Sequence, residues 1–388
     1  MKNEIEQELQ KIQDKLKPPS IAILGRSGAG KSSLIKAIFN LNDIQIDTGA
    51  GLPKTQHYRK YPHPEDENTP VILYDSPGFE ADKTDVFLEE TITFLSERIP
   101  SNPDNNEKIH LIWYLIHAGL GRIERFDEKV IQTASSLGIP VIIILSQSDI
   151  AKKKETEQLN EAINKLQITN TFDILKISSE PLHGEPFGLE ELVDISIKKI
   201  PEIYTKAFII SQTVNIKEKR KVAWMIVSAV AGACFGSAFI PVPGSSPAAV
   251  IISQTSLLKV IAQVYNFNKI FDGKTYFATF SISTLLAILG TSIVDAVSTT
   301  LLPLPTAFFA LETVSATVAS SYIVAVGLAL IFTFEKLLLS NLESKDSQES
   351  IKDFFKKTFS IKFNEFTNHD ITIRGKSDLD NIRKKYIE

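Results

Sequence analysis

Eight residues near the start of the chain, Gly25-Arg26-Ser27-Gly28-Ala29-Gly30-Lys31-Ser32, constrain its folding more than any other feature. The apolar run Ile21–Leu24 leads into them and the helical pattern Ser33–Asn40 leads out, so the order is strand, glycine-rich loop, helix. Glycines let backbone amides turn inward around an anion, and the helix N-terminus adds partial positive charge. Lys31 places a point charge on the outer phosphates, Ser32 offers a hydroxyl to Mg²⁺, and Ser33 continues the same turn. The segment therefore predicts a site for a nucleotide's phosphates.

A loop of this kind belongs in an α/β sheet, and the first half of the chain has that pattern. Ile21–Leu24, Val71–Tyr74, Ile109–Ile116, Val141–Leu145 and Phe172–Ile177 read as short apolar strands separated by charged amphipathic helices. Alternation of this type implies right-handed crossovers and a mostly parallel sheet with helices on both faces. At 388 residues a second domain is expected, because single cores stop growing at roughly 250–300 residues. The balance of 42 basic and 46 acidic residues, net −4, gives no electrostatic case for a nucleic-acid partner. The lone Cys234 cannot form an intrachain disulfide, which fits a reducing compartment and argues against a secreted, stapled fold.

Composition changes near residue 220. Val222–Leu258, Thr275–Val294 and Thr313–Phe334 contain no charged residue, and Ala223–Ile240 and Ala316–Phe334 approach the length of a membrane span. The same stretches, rich in Ala, Ser, Gly and Thr, also suit a wholly buried helical bundle. Ile240-Pro241-Val242-Pro243 and Leu302-Pro303-Leu304-Pro305 read as two helix breaks, hence two helical hairpins. The divisions expected are an amphipathic helix over 1–17, an α/β domain over 18–204, an apolar all-α domain over 205–340 and a charged, aromatic tail over 341–388. Residues 1–17 lack the apolar centre of a signal peptide. In the tail, Phe354, Phe355, Phe359, Phe363 and Phe366 among lysines suit either an interfacial helix or a solvated appendage with a small hydrophobic cluster.

Three further motifs come after the phosphate loop in order. Asp75-Ser76-Pro77-Gly78 closes the Val71–Tyr74 strand: Asp75 is placed to hold the metal through water, and the Gly78 amide to sense the γ-phosphate. Thr55, in Gly51-Leu52-Pro53-Lys54-Thr55-Gln56, is a candidate to complete the Mg²⁺ shell, with Thr48 as rival. Ser146-Gln147-Ser148-Asp149 follows the Val141–Leu145 strand. There Asp149 can accept two hydrogen bonds from guanine N1 and N2, which adenine does not offer, or it can cap the next helix. Ile177-Ser178-Ser179 lies where a loop could back the base.

With these motifs in this order, the chain resembles the Era-like branch of the TrmE-Era-septin class of P-loop GTPases. The resemblance rests on Gly25–Ser32, Pro53–Gln56, Asp75–Gly78, the Trp113-Tyr114 strand ending His117-Ala118, and Ile139–Asp149. The apolar domain with its Pro-x-Pro turns resembles the helical module called domain of unknown function 697. What the resemblance implies is GTP and GDP binding with Mg²⁺, and GTP hydrolysis in which Lys31, Thr55 and Gly78 take part. Gly25, Arg26, Ser27, Gly28, Ala29, Gly30, Lys31, Ser32, Ser33, Gln147, Asp149, Ser178 and Ser179 would hold the nucleotide. Ser32, Thr55 and Asp75 would hold the metal.

The chain departs from that pattern twice. Ser146 and Gln147 replace the usual Asn or Thr and Lys, and Phe79 stands where Ras-like enzymes carry a water-orienting glutamine. Slow hydrolysis is expected until an activating protein or a second copy completes the site, with Gln56, His57 or Arg26 as candidate helpers. The expectation is a GTP-driven switch controlling its helical domain at the cytoplasmic face of a membrane, or else a cytoplasmic protein. A dynamin-like membrane-remodelling GTPase and a nucleotide-stabilised scaffold with negligible turnover are the rival readings.

Overall fold

The computed structural model describes residues 16–40, 58–61, 71–76, 84–101, 107–166, 173–236, 257–258, 260–266, 316–339, 353–354, 357–362, 365, 373 and 375–388. They divide into two compact units, Leu16–Asn215 and a second made of Met1–Lys15 with Ile216–Glu388.

Among the described residues, the first unit holds a six-stranded sheet. Its strands are β1 (Ser20–Gly25), β2 (Arg59–Tyr61), β3 (Ile72–Asp75), β4 (Leu111–His117), β5 (Val141–Ser146) and β6 (Asp173–Lys176). The spatial order is β2-β3-β1-β4-β5-β6, with β2 antiparallel to β3 and the other five strands parallel. The connecting helices are α1 (Lys31–Phe39), α2 (Thr84–Glu97), α3 (Arg125–Ser136), α4 (Lys153–Asn164), α5 (Leu189–Lys199) and α6 (Glu202–Ser211).

Every residue of β1 and β5 is buried, because helices cover both faces. The period-two pleat splits the apolar runs between two cores. Ile21, Ile23, Trp113, Leu115, Ile142 and Ile144 pack with Leu34, Ile38, Leu192 and Phe208 on one face. Ala22, Leu24, Tyr114, Ile116, Ile143 and Leu145 pack with Leu95, Val130, Ile131 and Leu159 on the other. Trp113 is fully buried, and its indole N–H donates to Ser196 Oγ at 3.0 Å, so the ring carries no unsatisfied donor into the core. The chain moves one way from β1 to β3 and the other way to β4, so the loop after β1 lies at a topological switch point. Crevices form at the carboxyl ends of strands in such places.

The second unit contains α7 (Ile216–Gly236), helical residues 257–258 and 260–264, α8 (Ala316–Leu339) and a short α9 (Lys376–Ile382). α7 and α8 pack together, and Gly327 makes this possible: a Cβ there would lie 2.5 Å from both methyls of Val227. The unit is less uniformly apolar inside than its composition suggests. Arg220 forms a bidentate pair with Glu335 at 2.7 and 2.8 Å, and Tyr265 donates its hydroxyl to the same carboxylate at 3.0 Å. Lys219 is fully buried and donates to the Val264 carbonyl at 2.6 Å.

Among the described residues, no helix is long and apolar enough to cross a membrane. Of the two candidate spans, Ala223–Ile240 is helical only to Gly236 within the described residues, and Ala316–Phe334 lies inside α8. Both Pro-x-Pro turns, and residues 1–15 of the expected N-terminal helix, lie outside the described residues. In the tail Phe359 is fully buried.

The packing leads to two testable outcomes. Gly327→Ala overpacks the α7–α8 crossing and is expected to destabilise the chain by about 1–3 kcal/mol in chemical unfolding, with Val227→Ala in the same chain restoring part of the loss. In the first unit, the Ser20 amide donates to His110 Nδ1 at 2.9 Å, and burial of this ring, with Lys108 nearby, pushes its pKa down from 6.5 to about 4. The folded state thus binds fewer protons than the unfolded state between those values. Stability is fully present above pH 6.5 and falls as pH drops toward 4, by about 2 kcal/mol once solvent screening is allowed for. Unfolding midpoints across this range are expected to show that slope, and His110→Gln to flatten it.

Candidate functional site

The loop leaving β1 reaches the helix through glycines with positive φ. Gly25 has φ 142°, Gly28 76° and Gly30 82°. Gly30 is the N-cap of α1 and offers no side chain, so the helix start is capped by backbone geometry alone. The first intrahelical bond is Leu34 N–H to the Gly30 carbonyl at 2.9 Å. The amides of Lys31, Ser32 and Ser33 precede it and have no acceptor within the helix, which is the arrangement that binds anions.

Lys31 is turned into this loop. It is 8% exposed, and its ammonium donates to the carbonyls of Gly25 at 2.9 Å and Arg26 at 3.0 Å. Burial lowers its pKa to about 8, opposed by the negative charge of Asp75. Asp75, the last residue of β3, is buried and accepts a hydrogen bond from Ser32 Oγ at 3.3 Å. The two metal-ligating candidates on these elements are therefore together, beside a dehydrated cation. This donor set fits a phosphate with a divalent ion: an ammonium and three helix-start amides for the phosphate oxygens, a hydroxyl and a carboxylate for the metal. Thr55 and Gly78, like Thr48, Gln56, His57 and Phe79, lie outside the described residues.

The base-side motifs also converge. Asp149 and Ser178 come from the ends of β5 and β6, which are neighbours, and Ser178 Oγ donates to Asp149 Oδ1 at 2.6 Å. Leu182 N–H donates to the other oxygen, Oδ2, at 3.0 Å. These bonds, the Ser178 hydroxyl first, hold the exposed carboxyl below its ordinary pKa. Asp149 does not cap α4, whose N-cap is Lys152, with that residue's own amide bonded to Glu155 at 2.8 Å. Ser179 follows Ser178 in the same loop, half-buried.

Three contacts were not legible in the motifs. Gln147 sits at φ 52°, and its Nε2 donates to the Gly28 carbonyl at 3.0 Å, so this residue braces the phosphate loop. Ser33 Oγ donates to Glu180 Oε2 at 3.2 Å, linking α1 to the loop after β6. Arg26, a candidate nucleotide contact and helper, pairs with Glu124 at the start of α3. Glu124 N–H in turn donates to Asp127 Oδ2 at 3.0 Å, and Tyr114 donates to Asp127 Oδ1 at 2.7 Å. Burial raises the Asp127 pKa, and the Tyr114 bond opposes it. The arginine is thus engaged within its own chain because α3 begins directly beside the loop.

Residues 20–147 match the family model described as 50S ribosome-binding GTPase, a match that ends two residues short of Asp149. GTPase Der of Lawsonia intracellularis is 26% identical over 167 residues, covering 42% of this chain and 34% of that protein. GTPase Der of Akkermansia muciniphila is 25% identical over 209 residues, 52% of this chain and 41% of the relative. The probable GTP-binding protein EngB of Thermotoga petrophila is 28% identical over 179 residues, 45% of this chain and 83% of the relative. A crystal structure of Era from Aquifex aeolicus aligns with 22% identity and a TM-score of 0.35, over 54% of this chain and 68% of that one. The chain spans about a third to two fifths of the length of these Der relatives. The first unit is similar to an α/β P-loop GTPase domain, with five of the six strands of its sheet parallel. The family match does not extend into the helical unit.

Gly25 and Gly28 separate two reasons for glycine in the loop. A Cβ on Gly25 would lie 2.4 Å from the Leu115 carbonyl oxygen, whereas nothing lies within 4 Å of one on Gly28. Gly25→Ala is therefore expected to lower the thermal unfolding midpoint and abolish nucleotide binding. Gly28→Ala should carry just the positive-φ penalty, about 1–2 kcal/mol, with binding weakened but measurable.

Proposed function

We propose that this chain is a GTP-binding, GTP-hydrolysing switch whose nucleotide state controls its helical unit. The observation that carries the reading is the hydrogen bond from Ser32 to Asp75 beside the buried Lys31 ammonium, at a helix start with open amides. In this reading Lys31 meets the outer phosphates, Ser32 and Asp75 serve Mg²⁺, and Asp149 receives guanine, exchanging its bonds to Ser178 and Leu182 N–H for those from the base. Bound Mg²⁺ neutralises charge developing on the transferred phosphoryl oxygens. Thr55 and Gly78 are proposed for the metal shell and for sensing the γ-phosphate. Phe79 offers no group to orient water, which supports slow hydrolysis until an activating protein or a second copy supplies one.

Control of the helical unit is supported by the far end of α1. The Thr213 amide and hydroxyl both donate to the Ile38 carbonyl, at 2.8 and 3.1 Å. Gln212, fully buried, fastens the same turn through the amides of Val214 and Asn215, each at 2.7 Å. Helix α7 starts at the next residue, Ile216. The helix that would hold phosphate at one end thus holds, at the other, the segment that enters the helical unit. The uncharged stretches support association of that unit with the cytoplasmic face of a membrane.

Titration of the full chain with fluorescent GDP and GTP in Mg²⁺ tests the nucleotide reading. Lys31→Ala is expected to weaken binding by about a hundredfold, in line with the loss of charged hydrogen bonds of about 1.5–3 kcal/mol each. Ser32→Ala is expected to remove most of the Mg²⁺ dependence. Absence of binding to the unaltered chain, or binding unchanged in both variants, would overturn the proposal. Thermal unfolding of each variant separates loss of the site from loss of the fold.

A further inference from the structure

Glu180 is an exposed carboxylate in the loop after β6, and it reaches across to the phosphate loop's helix. Its Oε2 accepts from Ser33 Oγ at 3.2 Å. Ser33 lies in the first turn of α1, ahead of the first intrahelical bond at Leu34. A negative charge is stabilised there by the helix's partial positive end, so the carboxylate has a physical reason to stay.

The loop that carries it is held in place. Ser178, two residues before Glu180, donates to Asp149, and its backbone pairs with Phe187 in both directions, at 3.0 and 3.2 Å. Leu182, two residues after, donates its amide to the same aspartate. Glu180 is thus anchored on both sides at a fixed station beside α1.

A nucleotide's phosphates need the same helix turn, and a carboxylate standing there repels them. We propose that Glu180 acts as a competing anion at the phosphate site. Its hydrogen bond to Ser33 must break before a phosphate engages the first turn of α1, and the carboxylate so sets the affinity of the site. This rests on the nucleotide reading above. The residue weakens binding, so a ligand must bring enough interaction elsewhere, such as guanine at Asp149, to displace the carboxylate.

The test is the dissociation constant for fluorescent GDP, measured on the full chain at low and high salt. Glu180→Ala is expected to tighten binding three- to tenfold at low salt and less at high salt, because screening weakens the repulsion. Glu180→Gln, which keeps the shape and removes the charge, should give most of the same gain. Glu180→Ala added to Ser33→Ala should gain less than Glu180→Ala alone, since the contact is already gone. Unchanged or weaker binding in Glu180→Ala, or an equal gain in both backgrounds, overturns the proposal. An unaltered chain that binds no GDP refutes the nucleotide reading instead, so the two failures are distinct.

Discussion

The turn from β1 into α1 is the constraint on which the rest of the first unit depends. Three glycines at positive φ bring the chain to a helix start with no side-chain cap. Side-chain caps normally satisfy such amides; here the N-cap has no side chain to do so. The cation in the loop is likewise prepared rather than idle. Lys31 is buried and bonded to two carbonyls of the loop, so its charge is poorly solvated. A group in that condition gains more from a phosphate than a solvated lysine would. Around this turn stand side chains from three other loops: Glu124 on Arg26, Gln147 on Gly28 and Glu180 on Ser33. The first two contact the phosphate loop itself and the third the first turn of α1.

Those three contacts also mark where local sequence pattern stops being informative. The loop, the apolar strands and Asp75 are legible because each is a local pattern whose context lies within a few residues. Ser32 and Asp75 come together because β1 and β3 are neighbours, which a parallel sheet with an early crossover makes expected. Gln147 is different. Read as a motif residue it is a defect, the loss of a lysine stem, yet its amide braces a loop 119 residues away. Glu180 carries no motif at all, and its partner lies 147 residues earlier. Such contacts depend on strand order and on side-chain reach, neither of which is written in local periodicity.

The helical unit shows the same limit from the opposite side. Charged residues in the sequence appear as punctuation: Glu335 closes the uncharged stretch Thr313–Phe334, and Arg220 closes the α/β half. In the structure these two boundary markers are partners across 115 residues, and Glu335 is buried. A buried charge persists when its pairing is nearly complete, and the bidentate fork plus the Tyr265 hydroxyl meets that requirement. Composition alone gives the unit as apolar. Packing shows a polar clasp among the helices, with Lys219 buried beside it in sequence.

Helix α1 has a partner at each end, and this bears on how a small event at the phosphate loop would travel. In the proposed switch, a displacement at the N-terminus of this nine-residue helix would be carried to its C-terminus. There the Ile38 carbonyl accepts twice from Thr213, and the adjoining turn is internally satisfied: Gln212 donates to Ile209 and Asn215 carbonyls and accepts from two amides. Asn215 also donates to Asp194 on α5, at 2.6 Å. A turn with its polar groups so fully paired has little slack, since any local yielding would leave buried donors or acceptors unmet. Displacement would pass into the chain at Ile216 rather than be absorbed. In the proposed switch, then, the same tightness that closes the α/β unit would couple its nucleotide to helix α7.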